Sequence, residues 1–270
     1  MLRWVYTKKY KNQSGVVYNR GMKISLIIPV YNEEKYIGGC LDSIANQKIK
    51  PDEVIVVDNN CTDNTLSIVH KYPFVRVIHE STQGMIAARN AGFNAANYEI
   101  IARCDGDTKL PPNWIARIYR NFSRYEIDAL TGPIMFYDAP IKTSLIARAY
   151  LDMMKPIHRG GETLVGPNMI ITKEIWEKVK NIVCLNDKLV HEDIDLAYHI
   201  QEMGGRIKRD NGLVVSTSIR RMKKNPYSFF SEYPQRFMKT LLHHDKVVLE
   251  LKKGFKLPAW YTNRRSQKKS

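Results

Sequence analysis

Two short acidic stretches, Asp105-Gly106-Asp107 and Glu192-Asp193, lie far apart in a chain of 270 residues. Two carboxylates separated by one small residue can share a hard cation such as Mg2+ or Mn2+, which takes its remaining oxygens from a substrate diphosphate. Gly106 lets the backbone come close to such a ligand. A carboxylate of the second stretch, held at a cleft edge, would take the proton of an acceptor hydroxyl. Together these groups suit an enzyme acting on a phosphorylated, nucleotide-activated substrate. Each also has a plainer account. Asp and Gly favour turns, and acids in the first turn of a helix complement its macrodipole by roughly 0.3 kcal/mol or more each. His191, just before the second stretch, reads as structural rather than as a metal ligand.

Such groups meet only if the fold brings them together. Residues 24–30 form a β-branched apolar run that leads into polar Tyr31-Asn32-Glu33-Glu34 and then a helical spacing. The alternation recurs: Val54 to Val57 runs into Asp58, Val75 to Ile78 precedes an Ala-rich helix, and Ile100 to Ala102 runs into Asp105. Repeated strand-helix units predict a mostly parallel sheet covered on both faces. Ligands of such sheets bind beyond the carboxyl ends of the strands. The residues placed there are Asn32 and Glu33, Asp58 and Asn59, and Asp105 and Asp107. Asp58 suits a base N–H or a ribose hydroxyl, and Thr62 or Asp63 suits the cap of the helix that follows.

After Thr131-Gly132-Pro133 the pattern loosens. Leu145, Ile146, Ala149, Tyr150, Met153 and Met154 repeat at helical spacing, and this stripe reads as core rather than membrane contact. Val165 to Ile171 reads as a strand, and Glu192 to Met203 as a helix stopped by Gly204-Gly205. A last pair of short strands is expected at 206–209 and 212–216. Phe230, Tyr233, Phe237, Leu241 and Val248 then mark one apolar helical face, with Pro234 as a break.

The formal charge of +15 is unevenly spread. Residues 1–21 carry five basic side chains and 251–270 carry seven, both without an acid, which leaves +3 over 22–250. A near-neutral body argues against nucleic acid as a partner. The four cysteines show no Cys-x-x-Cys pair, so a structural zinc site or a disulfide-dense module is not expected and a reducing, cytoplasmic setting fits. No apolar run is long enough to cross a bilayer.

Five stretches in order carry a family resemblance: Pro29-Val30-Tyr31-Asn32-Glu33-Glu34, Val57 to Thr65, Ala88-Arg89-Asn90-Ala91-Gly92, Asp105-Gly106-Asp107 and Glu192-Asp193-Ile194-Asp195-Leu196. They resemble the ordered motifs of family-2 glycosyltransferases over roughly residues 22–220. The resemblance implies the GT-A fold: one Rossmann-like, mostly parallel sheet flanked by helices. It also implies a nucleotide-sugar donor, UDP-linked as the first expectation, and an inverting displacement. Pro29, Tyr31, Glu33 and Asp58 would line the nucleotide pocket, with Arg89 nearby. Asp105 would contact ribose or metal, Asp107 would be the main ligand of Mg2+ or Mn2+, Asp193 the catalytic base, and Glu192 its positioning partner. Arg220 and Arg221 would close over the diphosphate or form a solvated basic turn.

The chain departs from the processive members, which carry Gln-x-x-Arg-Trp where this sequence has Gln235-Arg236-Phe237. Addition of one or a few sugars is therefore expected. A basic tail over 1–21, with Trp4, Tyr6, Tyr10 and Tyr18, and a basic aromatic helical extension over 221–270, with Phe255, Trp260 and Tyr261, suit an anionic membrane surface. A glycan or lipid-linked acceptor and peripheral attachment at the cytoplasmic face of a membrane are the matching expectations. The alternatives are a nucleotidyltransferase, which would not need Glu192-Asp193, and a non-catalytic nucleic-acid binder using the tails.

Overall fold

The computed structural model describes residues 9–11, 17–19, 21–139, 144–155, 161–220, 227 and 231–244. Arg221, Phe230, Val248 and nearly all of both tails, including Trp4, Tyr6, Phe255, Trp260 and Tyr261, lie outside them. Strands β1 (Lys9–Lys11) and β2 (Val17–Asn19) form an antiparallel pair.

The body of the chain is built on a seven-stranded sheet. Its strands are β3 (Ile24–Val30), β4 (Glu53–Asp58), β5 (Val75–His79), β6 (Ile100–Arg103), β7 (Ala129–Thr131), β9 (Met169–Thr172) and β10 (Ile207–Arg209), in the spatial order β10-β7-β9-β6-β3-β4-β5. β3, β4, β5 and β6 run parallel, as do β7 and β10, while β9 is antiparallel to both β6 and β7. β8 (Ile134–Phe136) and β11 (Val215–Thr217) form a separate parallel pair. This is the mostly parallel, helix-flanked sheet that the strand-helix repeats predict.

The two faces of the sheet divide the apolar residues by the period of two. Ile24, Leu26, Ile28, Val54 and Val56 join one core with helices α1 (Ile37–Ala45) and α4 (Trp114–Arg124). Ile27, Ile55 and Val57 join the other with α3 (Met85–Ala95), α6 (Lys173–Val179) and α7 (Glu192–Glu202). A strand buried on both faces cannot alternate apolar with polar residues, which is why β3 reads as a continuous apolar run. The short α2 (Thr65–Val69) packs beside α1.

Gly92 sets how closely α3 lies on the sheet. A Cβ there would sit 2.2 Å from Ile27 Cγ2 and 2.9 Å from Val57 Cγ2, so any side chain pushes the helix off β3 and β4. Gly92→Ala should destabilise the fold by about 1–3 kcal/mol through overpacking. Thermal melting checks this, and an unchanged melting temperature would contradict it.

Four expectations need correction. Gly166–Asn168 is a turn of 3-10 helix that precedes β9, because Pro167 has no N–H to give a ladder. The last two strands do not pair with each other: β10 joins β7 and β11 joins β8. Pro234 opens helix α8 (Tyr233–His243) rather than breaking one, since the first turn has N–H groups with no helical partner to lose.

Most of the stripe on α5 (Ser144–Met154) is not core, Met154 excepted. Leu145 is 71% exposed, Ile146 61%, Tyr150 45% and Met153 63%. The inward face carries Leu151 and Met154, and Met154 packs with Ile194, Tyr198 and Leu241.

Candidate active site

At the carboxyl edge of the sheet, the loops after β3 and β4 are stitched together. Asn32 adopts a left-handed conformation, with φ 54°, and its Oδ1 accepts from the Thr62 backbone N–H at 2.8 Å. The Glu33 N–H donates to Thr65 Oγ1 at 2.7 Å and the Glu34 N–H to Asp63 Oδ2 at 3.1 Å. Asp63 Oδ1 accepts from the Thr65 N–H at 2.9 Å, but neither Thr62 nor Asp63 is the N-cap of α2, which is Asn64 and makes no side-chain capping bond.

Asp58 ends β4. Its Oδ1 accepts from the Cys61 N–H at 2.9 Å and its Oδ2 lies 3.0 Å from His79 Nδ1. Burial pushes its pKa up, but the Cys61 N–H and His79 outweigh burial and hold it below the usual aspartate value. Pro29 is buried in β3, whereas Tyr31 just beyond the strand is 51% exposed. Asn59, not singled out for a role beforehand, joins β4 to the next loop. Its Nδ2 donates to the Glu80 and Thr82 carbonyls, and its Oδ1 accepts from the Gly84 N–H.

The acidic pair after β6 faces two arginines. Asp105 Oδ1 accepts from Arg103 Nη2 at 2.9 Å. Asp107 Oδ1 accepts from Thr217 Oγ1 at 2.8 Å and its Oδ2 from Arg220 Nε at 3.0 Å. Arg220 also donates to Glu33 and lies over the Tyr36 ring, 4.4 Å from its centre. Gly106 packs under Glu33 and Val30, whose side chains would stand 3.0 and 3.2 Å from a Cβ there.

Burial raises the pKa of Glu33, and Asp107 and Asp105 add to it although Arg220 opposes them. Burial likewise raises Asp107, with Asp105 next, again against Arg220. Glu33 Oε2 is buried without a hydrogen-bond partner. An all-oxygen donor set, mutual repulsion among carboxylates and an orphaned carboxylate oxygen fit a hard divalent cation held by Asp105 and Asp107.

The second acidic stretch meets the first through Arg103. This residue closes β6, is 1% exposed, and donates from Nη1 to Glu192 Oε1 while its Nη2 holds Asp105. Arg89 is fully buried, with Nη1 on both the Glu192 carbonyl and Oε2 and its other nitrogens on Asn90 Oδ1. Burial pushes Glu192 up, but Arg103 and Arg89 overcome it and keep its pKa below the ordinary value. Among the described residues no arginine is paired with Asp193. Its Oδ2 accepts from the Gly166 N–H at 3.1 Å, and burial first and Glu192 second raise its pKa.

The two neighbours therefore diverge: Glu192 is a fixed anion and Asp193 a carboxylate with raised proton affinity. Arg103 was missed because Ile100-Ile101-Ala102-Arg103 reads as a strand ending in a surface charge; its partner comes 89 residues later. Cysteine chemistry is not favoured. Burial pushes the Cys61 thiol up to about 11, and Cys40 with burial pushes Cys104 well up, so neither is a thiolate near neutral pH.

With this geometry in place, the comparisons are decisive at family level. Residues 25–179 match the model of glycosyl transferase family 2. The chain belongs to that family. A putative glycosyltransferase, EpsH of Bacillus subtilis, is 37% identical over 101 residues, which are 36% of this chain and 29% of that protein. Glycosyltransferase GlyG of Streptococcus pneumoniae is 32% identical over 120 residues, 43% of this chain and 40% of that protein. The chain thus spans well under half the length of these relatives.

Among solved structures, S. aureus TarS 1-349 in complex with UDP-GlcNAc is 26% identical, with a TM-score of 0.55, and the match covers 73% of this chain and 58% of that one. The mannosyltransferase PcManGT from Pyrobaculum calidifontis, in complex with GDP-Man and Mn2+, has a TM-score of 0.65 at 20% identity, over 88% of this chain and 66% of that one. The latter likeness establishes the GT-A fold.

Proposed function

We propose that the chain transfers one sugar at a time, with inversion, from a nucleotide-sugar donor to an acceptor hydroxyl. The observation that supports this reading is Arg103, which ties Asp105 to Glu192, the chain neighbour of Asp193. Exposed Tyr31 and the Asp58 carboxylate are the contacts for the nucleoside, with Pro29 and Glu33 shaping the pocket behind them. TarS holds UDP-GlcNAc in its complex, which favours a UDP-linked donor.

Asp105 and Asp107 would hold the divalent cation, Mg2+ or Mn2+; the fold neighbour PcManGT is itself in complex with GDP-Man and Mn2+. When bound, the cation supplies positive charge to the departing nucleoside diphosphate. Arg220, placed on Asp107 and Glu33, contributes charge and hydrogen-bond donors on the same side. Asp193 takes the proton of the acceptor hydroxyl as its oxygen attacks the anomeric carbon, and the C–O bond to the diphosphate breaks. One base is enough for a single displacement. Glu192, clamped by Arg89 and Arg103, fixes the orientation of Asp193 and stays ionised throughout.

The test is release of nucleoside diphosphate from a panel of nucleotide sugars, with and without divalent ion. Donor- and metal-dependent release supports the reading, and none with any donor sinks it. Asp107→Ala should weaken metal-dependent donor binding by about tenfold or more, equivalent to about 1.4 kcal/mol. Calorimetric titration measures this, and unaltered affinity would remove the residue from the metal site.

A lipid-linked or glycolipid acceptor is the proposal for the second substrate. The basic tails and the outward apolar face of α5, with Leu145, Ile146, Tyr150 and Met153, both suit an anionic bilayer surface. Among the described residues no helix is long and apolar enough to cross a membrane. The intact chain should sediment with anionic liposomes at moderate salt, and Leu145→Glu with Ile146→Glu should reduce the bound fraction. Failure of the intact chain to bind would count against this acceptor class.

A further inference from the structure

Helix α7 carries its catalytic acids at its first turn and a different cluster further along. Asp195, His199 and His244 place one ligand atom each within 4.8 Å of one another, and among the described residues they are the one such group of three. Asp195 is 0% exposed, His199 9% and His244 6%. His244 Nε2 lies 3.0 Å and His199 Nε2 3.6 Å from the same Asp195 Oδ1. Ligands about 2.0–2.2 Å from a tetrahedral Zn2+ stand roughly 3.3 Å apart, and the two separations bracket that value.

Hydrogen bonding alone leaves this arrangement incomplete. Among the described residues the Nε2 of buried His199 has no hydrogen-bond partner, which is uncommon for an interior polar group. Glu202 Oε2 stands 3.3 Å from His199 Nδ1, on the side away from the cluster. A carboxylate there is the usual means of fixing a ligating imidazole so that its other nitrogen faces a metal. Asp195 is fixed in the same way, since its Oδ2 accepts from the Cys184 N–H at 3.0 Å. The His244 ring is stacked on Tyr198 with centres 4.4 Å apart, which sets its plane.

We propose that Asp195, His199 and His244 form a zinc-type site, separate from the Asp105/Asp107 cation site, that clamps α8 onto the catalytic helix α7. Two imidazoles and one carboxylate favour a transition-metal ion over Mg2+. The fourth position is left to water. The clamp acts beside the hydrogen bond from the His191 N–H to Thr240 Oγ1 at 2.7 Å, which joins α8 to the turn bearing Glu192 and Asp193.

The test uses the full chain, stripped with chelator and titrated with Co2+ as a visible probe and then Zn2+. The expected result is one cobalt with the absorption of a four-coordinate ion, displaced by zinc and not by excess Mg2+. Zinc should also raise the melting temperature. His199→Ala and His244→Ala should lose that spectrum and Asp107→Ala should keep it, while Glu202→Gln should weaken binding by about 10- to 100-fold. Should the alanine variants fail to fold, the unmodified chain decides alone. No four-coordinate spectrum, or one that Asp107→Ala abolishes, overturns the proposal.

Discussion

Asp193→Asn is expected to cut the turnover number by about 10²–10⁴-fold, the usual contribution of a positioned general base, while leaving the donor dissociation constant within about twofold. The asparagine keeps the volume but only one of the two oxygens that now accept from the Gly166 and Ile194 N–H groups. The fold should therefore lose about 1–3 kcal/mol relative to the parent and stay folded.

The pH profile adds a second signature. Burial, reinforced by Glu192, raises the pKa of Asp193, so the base loses activity as pH falls through a value above that of an ordinary aspartate. The acidic limb of turnover should lie there in the parent and vanish from the residual rate of Asp193→Asn. A variant with parental turnover would remove the assigned base.

The second large effect falls on stability. Arg103→Met removes the cation that holds Glu192 and Asp105 and leaves two partly buried carboxylates facing a methionine. Breaking a buried pair from one side costs about 3–5 kcal/mol. Arg89 still holds Glu192, and the two acids retain 14% and 24% side-chain exposure, so the lower end of that range is expected. For a chain of this size that is a fall in melting temperature of about 6 °C or more. Melting below 1 °C of change would mean that Arg103 does not bind the two motifs together.

The sign of the pH dependence follows from Glu192, whose pKa is lower in the folded chain than that of an ordinary glutamate. Its contribution is present above that value and is lost as pH falls through the folded pKa. Acid should therefore shrink the difference between Arg103→Met and the parent.

Much of the scaffold was legible in the sequence because a strand buried on both faces must be apolar throughout. Ile24 to Val30 and Val54 to Val57 could be little else, and the polar residues after them had to lie at one edge. The order of β7, β9 and β10 was not legible, since pairing between strands of three or four residues depends on contacts distant in sequence.

The acids of the site were visible from type and position, and so were Arg89 and Arg220 though not the acids they hold, whereas Arg103 was not. Arg89 lies within a helix and Arg103 at a strand end, and each becomes informative only once Glu192 is packed against it. The exposed stripe of α5 marks another limit. Periodicity says that a helix has an apolar face, but of that stripe it is Met154, together with Leu151 outside it, that reaches the core.

The central claim is that Asp105, Asp107 and Asp193 border one donor cavity. A crystal structure of Asp193→Asn soaked with Mn2+ and an intact nucleotide-sugar donor tests it most directly. The account predicts the ion on the carboxylates at 105 and 107 and the open face of the anomeric carbon towards position 193. A sugar turned away from position 193, or an ion seated elsewhere, would contradict it.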